Sequence, residues 1–393
     1  MTMARDTASL RGVRVVDFSW VMAGPMATKI LGAMGAEVIK IESSTRPEFS
    51  ERDGMFAIIN NNKRSCTVDI ASAQGQDLLR RVIAMSDVVV ENFSSRVLRR
   101  HGLAYEDLRA VKPDLIFVSA SGLGRSGPQA DLLAYGSLLQ GYSGRVGMIG
   151  TLNPFLEAMG ILPAWTDPIT ALWEVLAIQA ALRQRDRTGQ GCHIDLSMLE
   201  STVALLPGAL LRAALGVPEG EPGSTTEPEA APSGCFRCAG ADDWLAVSVR
   251  CDREWRGLCA AAGWQDLVDS PGHADRQRRL AAKPQLNERL AAWLRTCPGE
   301  LAERLLRQHG VPAARSRHIG ELVRDEHLLA RGVFQTSEAG PHLATLPWRD
   351  EHGWRGDYAP APAIGADNDY VFGELLGLTP AARAELSKAG VIR

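Results

Sequence analysis

The alternation of short apolar segments with amphipathic ones between Val13 and Gly124 constrains this chain more than any other feature. VRVVDFS (13–19) is rich in β-branched residues and runs through AGP into MATKILGAMGA, which has helical apolar spacing, and then into EVIKIE (37–42). KRSCTVDI (63–70) is strand-like, QGQDLLRRVIAMS (74–86) is an amphipathic helix, DVVVENF (87–93) is a short buried strand, and DLIFVSASGLG (114–124) is another strand closing on glycines. Strands this apolar need cover on both faces, so the pattern predicts a mainly parallel α/β sheet with helices on each side. Ligands of such sheets bind beyond the carboxyl ends of the strands. The functional edge should therefore carry SWVMAGP (19–25), ENFSSR (91–96) and SASGLGRSGP (119–128).

A chain of 393 residues exceeds the usual single core, so a second, smaller domain is expected. VPEGEPGSTTEPEAAPSG (217–234) is too polar and too rich in proline and glycine to pack, and reads as a linker. The resulting division is 1–215, a linker at 216–233, a small α+β domain at 234–320 and a C-terminal segment at 321–393. CFRCAGADDWLAVSVR (235–250) reads as a hairpin turning at Gly240 to Asp243, and CHIDLSMLESTVALLPGALLRAALG (192–216) reads as mostly helical. YVFGELLGL (370–378) reads as a closing helix.

Charge and cysteine content narrow the partners. Lys and Arg number 43 against 46 Asp and Glu, a net charge of -3, so the electrostatic footprint of a nucleic-acid binder is missing and a small-molecule ligand is expected. No run approaches the roughly 18 apolar residues of a membrane span, and the N-terminus has no signal-like apolar stretch. Seven cysteines without regular spacing suit a reducing cytoplasm. Cys235 and Cys238 have CxxC spacing, but Cys251 and Cys259 lie too far apart to supply a second pair, and the histidines form no HExxH pattern, so no metal is expected.

Among candidate sites, the AGP turn lacks GxGxxG, and Pro25 removes an amide where a pyrophosphate would need one. GLGRSGP (122–128) misplaces its serine for a nucleophile elbow, and reads as a flexible loop over the sheet edge. Lys63 and Arg64, with Arg96, Arg99 and Arg100, are either solvated surface charge or a phosphate site. Asp167 stands before Pro168 at the start of a helical pattern in which Ala171, Leu172, Val175, Ile178, Gln179 and Leu182 trace one face. It reads as an N-cap with Pro168 as the first helical residue, a place where free amides and the helix dipole favour an ionised carboxylate. A cap and a nucleophile are compatible there.

Taken in order, LRGVRVVDFSWVMAGPMATKILGAMGAEVIKIE, NNNKRSCTVDI, DVVVENF, GLAYEDLRAVKPDLIFVSASGLGRSGP and the segment from Asp167 through RTGQGCHIDLSMLE resemble the class III CoA-transferases, a family that includes formyl-CoA transferase, carnitine CoA-transferase and α-methylacyl-CoA racemase. The hairpin and the ending ELLGLTPAARAELSKAGVIR are similar to the family's small domain and terminal segment. The resemblance implies a Rossmann-like large domain built from both chain ends, a small domain, and an interlocked-ring dimer of two such chains. It implies coenzyme A as co-substrate, with Asp167 as the nucleophile that forms mixed anhydrides and an aspartyl-CoA thioester. It further implies CoA contacts at Val21, Met22, Lys63, Arg64, Val68, Asn92, Phe93, Arg100 and Tyr135.

Departures from the family pattern matter too. Trp20 and Met22 stand where relatives acting on small polar acids carry His and Gln, which points to a less polar or bulkier acyl group. Ser43 replaces a nucleotide-binding arginine whose role Arg46 could take. The segment ADLLAYGS (130–137) lacks the histidine of the racemases, which leaves racemization as the alternative activity with half its acid/base pair missing. A heteromer with a related subunit is the alternative to a homodimer.

Overall fold

The computed structural model describes residues 8–48, 52, 54–94, 96–149, 165–217, 227–335 and 343–393. Residues 218–226 of the expected linker lie outside these. The chain divides into two compact units, one of Met1–Glu219 with Leu329–Arg393 and one of Gly220–Leu328.

The first unit is built on six parallel strands: β1 (Arg14–Asp17), β2 (Glu37–Glu42), β3 (Lys63–Thr67), β4 (Val88–Glu91), β5 (Ile116–Ser121) and β6 (Cys192–Ser197), in the order β3-β2-β1-β4-β5-β6. Because side chains alternate along a strand, each central strand feeds two cores. Val15, Val38, Val90 and Val118 pack on one face with Leu31 of helix α1 (Ala23–Ala33), and Val16, Ile39, Val89 and Phe117 pack on the other with Leu79 and Ile83 of helix α2 (Ala73–Ala84). Each such buried side chain contributes about 1.5–3 kcal/mol. Ser72 caps α2 by accepting the Gly75 amide at 3.0 Å.

β6 corrects the helical reading of CHIDLS. Its pairing from Cys192 beside Ile116 to Ser197 beside Ser121 makes it an edge strand, and its first four residues alternate in exposure as a half-covered edge strand should. The helical pattern starts only at Met198, where Ser197 accepts the Glu200 amide at 3.2 Å.

β3 forms the opposite edge, and the C-terminal segment closes it. Asp367 accepts the Ser65 amide and Asn368 the Thr67 amide, at 2.8 and 2.9 Å, while Val371, Phe372, Val391 and Ile392 enter the core. Supplying acceptors to the free amides of an edge strand removes a template for unwanted pairing. The predicted closing helix is a π-helical stretch at Asp369–Leu375, followed by an α-helix at Pro380–Lys388.

In the second unit, β7 (Ser233–Arg237) and β8 (Trp244–Ser248) form the expected antiparallel hairpin, and β9 (Ala313–Arg315) adds to β8. Leu245, Val247, Trp255, Leu258, Leu290 and Leu306 make its core. Among the described residues of the whole chain, no helix is long and apolar enough to cross a membrane.

Candidate active site

Strand order reverses direction between β1 and β4, since the chain builds outward to β3 on one side and to β6 on the other. A crevice at the carboxyl ends of such a strand pair is where open α/β sheets take their ligands. Beyond β1 come Trp20, Val21 and Met22; beyond β4 come Asn92 and Phe93. The structure joins these two segments directly. Asn92 Oδ1 accepts the Trp20 amide at 2.8 Å while its Nδ2 donates to the Trp20 carbonyl at 2.6 Å, and the Trp20 and Phe93 rings meet edge-on at 5.8 Å. Helix α1 starts immediately afterwards. Gly24 is required there, because a Cβ would stand 2.3 Å from that of Ser19.

Asp167 lies on a later long helix of this unit that reaches the same edge. Helix α3 (Gly136–Tyr142) precedes it, and its buried Gln140 accepts the Trp165 amide at 3.1 Å. Helix α4 (Thr166–Thr188) then runs down the α1 face of the sheet, contributing Ile178 and Leu182 to that core, and leads through Gly189 into the amino end of β6. Its C-terminus is thus at the amino edge of the parallel sheet, which puts its N-terminus and Asp167 at the carboxyl edge.

Two details of the helix start differ from expectation. The helix begins at Thr166 after Trp165, so Asp167 is its second residue rather than its cap, and Pro168 its third, where a missing amide costs no intrahelical bond. The helix end also fails to lower the carboxyl's pKa. Burial outweighs its backbone hydrogen bond and raises its pKa to about 6. Asp167 makes no ion pair among the described residues.

Beneath the β1–β4 crevice, between the sheet and α1, lies a buried polar cluster that the sequence did not reveal. Lys63 Nζ pairs with Asp17 Oδ2 at 2.9 Å and donates to Asn60 at 2.8 Å; Thr28 donates to Asp17 at 2.7 Å. Burial by itself would raise the Asp17 pKa, but Lys63, Lys40 and the Ser19 hydroxyl bring it down to about 2. Burial lowers the Lys63 pKa to about 8 against the opposing pull of Asp17, so both remain charged at neutral pH. Glu174, two helical turns after Asp167, is fully buried with neither carboxyl oxygen hydrogen-bonded. Burial, with Asp17 and Glu91 nearby, pushes its pKa well above the usual range.

The residues assigned to coenzyme A by resemblance separate into two groups. Val21, Met22, Asn92 and Phe93 flank the crevice; Arg100 is exposed at the end of the short helix Val97–Arg100, and Tyr135 is exposed at the start of α3. Lys63, Arg64 and Val68 do not flank the crevice. As strand neighbours, Lys63 and Arg64 leave on opposite faces: Lys63 is spent on Asp17, while Arg64 pairs with Asp367 at 2.9 Å and stacks over Tyr370 at 3.9 Å. Val68 is in the core.

On the α2 face, a cavity of about 320 Å³ opens beside β4 and β5, lined by Arg96, Arg99, Arg125, Glu91, Tyr105 and His193 among others. Arg125 fixes the GLGRSGP loop there, donating from its backbone to Asp195 at 2.9 Å and from its side chain to Glu91 at 2.5 Å, so the loop is anchored rather than flexible.

With this geometry in place, the comparisons with known proteins are decisive about class. Residues 10–368 match the sequence pattern of CoA-transferase family III, and the chain belongs to that family. It is an enzyme of the CoA-transferase class. It is 29% identical over the full length of both chains to succinyl-CoA–D-citramalate CoA-transferase of Chloroflexus aurantiacus. It is 33% identical to succinate–glutarate CoA-transferase of Agrobacterium fabrum, over 84% of this chain and 85% of that one. A CAIB/BAIF family protein from Brucella suis has a crystal structure that superposes with a TM-score of 0.84, at 28% identity, covering 94% of this chain and 99% of the other.

Proposed function

We propose that this enzyme moves CoA from an acyl-CoA donor to a carboxylic acid acceptor through covalent intermediates on Asp167. The Asp167 carboxylate attacks the thioester carbon, forming a C–O bond and breaking the C–S bond, to give a mixed anhydride and the CoA thiolate. The thiolate attacks the Asp167 carbonyl carbon, expels the donor acid as its carboxylate and leaves an aspartyl-CoA thioester. The acceptor carboxylate attacks that thioester, releasing the thiolate again and forming a second anhydride. The thiolate then takes the acceptor's acyl group and frees Asp167. Dividing a poor exchange into steps of similar energy is the advantage of covalent catalysis.

One observation carries this reading: Asp167 is a desolvated carboxyl without an ion pair among the described residues, at the carboxyl edge of a family III sheet. Such a group is ionised at neutral pH yet poorly solvated, which favours attack on carbon. Pantetheine is assigned to Val21, Met22, Asn92 and Phe93, and the nucleotide phosphates to Arg100, with Tyr135 at the rim. Lys63, Arg64 and Val68 are left out because their side chains serve the fold.

The names of both relatives include succinate or succinyl-CoA, which makes succinyl-CoA the donor to assay first. Trp20, Met22 and Phe93 favour an acceptor less polar than oxalate. Two interlocked chains are the proposed assembly, supported by the apolar face that α4 leaves open at Leu172, Trp173 and Leu176.

Incubation with succinyl-CoA followed by hydroxylamine should convert Asp167 to its hydroxamate, read by peptide mass. Label on another residue, or none with any acyl-CoA that turns over, would reject the assignment. Faster turnover with oxalate than with an alicyclic or aromatic acid would reject the acyl-pocket reading.

A further inference from the structure

The turn between β1 and α1 is held in a conformation its sequence does not favour. Val21 has φ of +69°, a left-handed value that is a genuine outlier for a β-branched side chain. Backbone strain of this kind persists only where surrounding groups over-determine it.

Those groups are all side chains from other elements. Asp17 accepts the Ser19 amide at 2.8 Å and the Ser19 hydroxyl at 2.5 Å. Asn92 takes both the amide and the carbonyl of Trp20. The third set closes a ring: Lys40 Nζ donates to the Ser19 carbonyl at 2.8 Å and pairs with Glu48 at 2.9 Å, and the other oxygen of Glu48 accepts the Val21 amide. The Lys40 and Glu48 side chains are 0% and 3% exposed, so neither charge is a surface ornament.

This ring spans Trp20. Ser19 is pulled inward by its carbonyl and Val21 by its amide, which sets the direction in which the Trp20 indole leaves the chain. The indole then stands against Phe93 and under Arg46, whose guanidinium carbon is 5.9 Å from the ring centroid. Without an acceptor for its amide, Val21 would relax to negative φ, and the peptides on either side would turn.

From this geometry we infer that the Lys40–Glu48 pair is the positioning element of the substrate loop, fixing Trp20, Val21 and Met22 in the form that receives the acyl-CoA. Neither residue touches the reacting atoms. The inference rests on the CoA-transferase reading only in taking this loop to face coenzyme A.

The test is calorimetric binding of free coenzyme A to the full-length protein, with thermal unfolding measured in parallel. Glu48→Ala should weaken binding roughly tenfold, the scale of one hydrogen bond to a charged group. Glu48→Gln keeps an oxygen for the Val21 amide and should recover most of that loss. In steady state, the KM for acyl-CoA should rise by the same factor while kcat changes less than threefold.

The doubly neutral Lys40→Met/Glu48→Gln variant leaves no buried unpaired charge and tests the Ser19 arm should Glu48→Ala fail to fold; its affinity should fall several-fold. Wild-type affinity in Glu48→Ala or in the double variant, even with a lowered Tm, overturns the inference and leaves the pair a purely structural one. Wild-type protein that binds no coenzyme A would instead refute the underlying reading, so the two failures are distinct.

Discussion

Asp17 and Asp167 are both desolvated aspartates near the carboxyl edge of one sheet, and their acidities move in opposite directions. Asp17 is fully buried and its pKa falls to about 2; Asp167 is partly buried and its pKa rises to about 6. Burial raises both, so burial does not distinguish them. The difference is company: Asp17 has Lys63, Lys40, Ser19 and Thr28 around it, whereas among the described residues Asp167 has only its own backbone. A carboxylate that holds the fold is surrounded by donors, and the one proposed as nucleophile is left without them among the described residues.

The sharpest break in this comparison is to delete each aspartate's function separately. With Asp167 as the proposed nucleophile, Asp167→Ala should lower transfer by at least about 10³-fold, because the covalent step is lost with its carboxylate. Circular dichroism and oligomer size should stay unchanged. For the wild type, kcat/KM should fall tenfold per pH unit below about 6, because the attacking form is lost as Asp167 takes up a proton. A limb near pH 4 would show that Asp167 has acquired a partner in the working assembly.

At the other aspartate the loss is of stability. Lys63→Met leaves the Asp17 charge buried without its ion-pair partner and should cost about 3–5 kcal/mol in urea unfolding. The pH dependence follows from the sign of the shift. Asp17 binds protons less readily folded than unfolded, so its contribution is present above about pH 4 and is lost as pH falls through about 2. A cost under 1 kcal/mol for Lys63→Met would mean that Lys40 and the hydroxyls of Ser19 and Thr28 suffice to hold the Asp17 charge.

How much of this was legible in the sequence follows the same division. Five strands and their parallel arrangement were readable because apolar runs this short, bounded by turns and rich in β-branched residues, suit buried strands and are too brief for buried helices. β6 was missed because an edge strand alternates over only six residues before a real helix begins. Asp167 was singled out by its place before a proline and by family resemblance, yet it is the second helical residue rather than the cap and its pKa is raised rather than lowered, the latter because burial of a first turn leaves no mark in a local pattern. Lys63 looked like a ligand-binding charge because sequence cannot show which face a strand residue leaves from. Glu174 gave no signal at all: a glutamate in a helix is ordinarily a solvated one. Leu172, expected on the buried face, is exposed in its place.

Glu174 also provides the smallest and most discriminating of the expected effects. It is buried like Asp17 but lacks a hydrogen-bond partner like Asp167, and its neighbours are predominantly carboxylates, Asp17 and Glu91. Deprotonation would place a further negative charge in that cluster, so the acid holds its proton more tightly than an exposed glutamate. At a pH below its ordinary value of 4.5, folded and unfolded chains both hold the proton. There Glu174→Gln replaces one neutral group with another of the same shape and should change stability by less than about 1 kcal/mol. Above that value the curves should separate. The unfolded chain releases the proton while the folded chain keeps it, so the wild type loses stability by about 1.4 kcal/mol for each pH unit until the raised pKa is reached, a penalty the glutamine variant lacks. Urea unfolding of both proteins at pH 5 and pH 6 measures the difference, and the variant should gain on the wild type between the two. If the variant instead lost ground as pH rose, Glu174 would be an ionised partner of Lys63, and the rule drawn from Asp17 and Asp167 would have to include a third carboxylate charged within the same cluster.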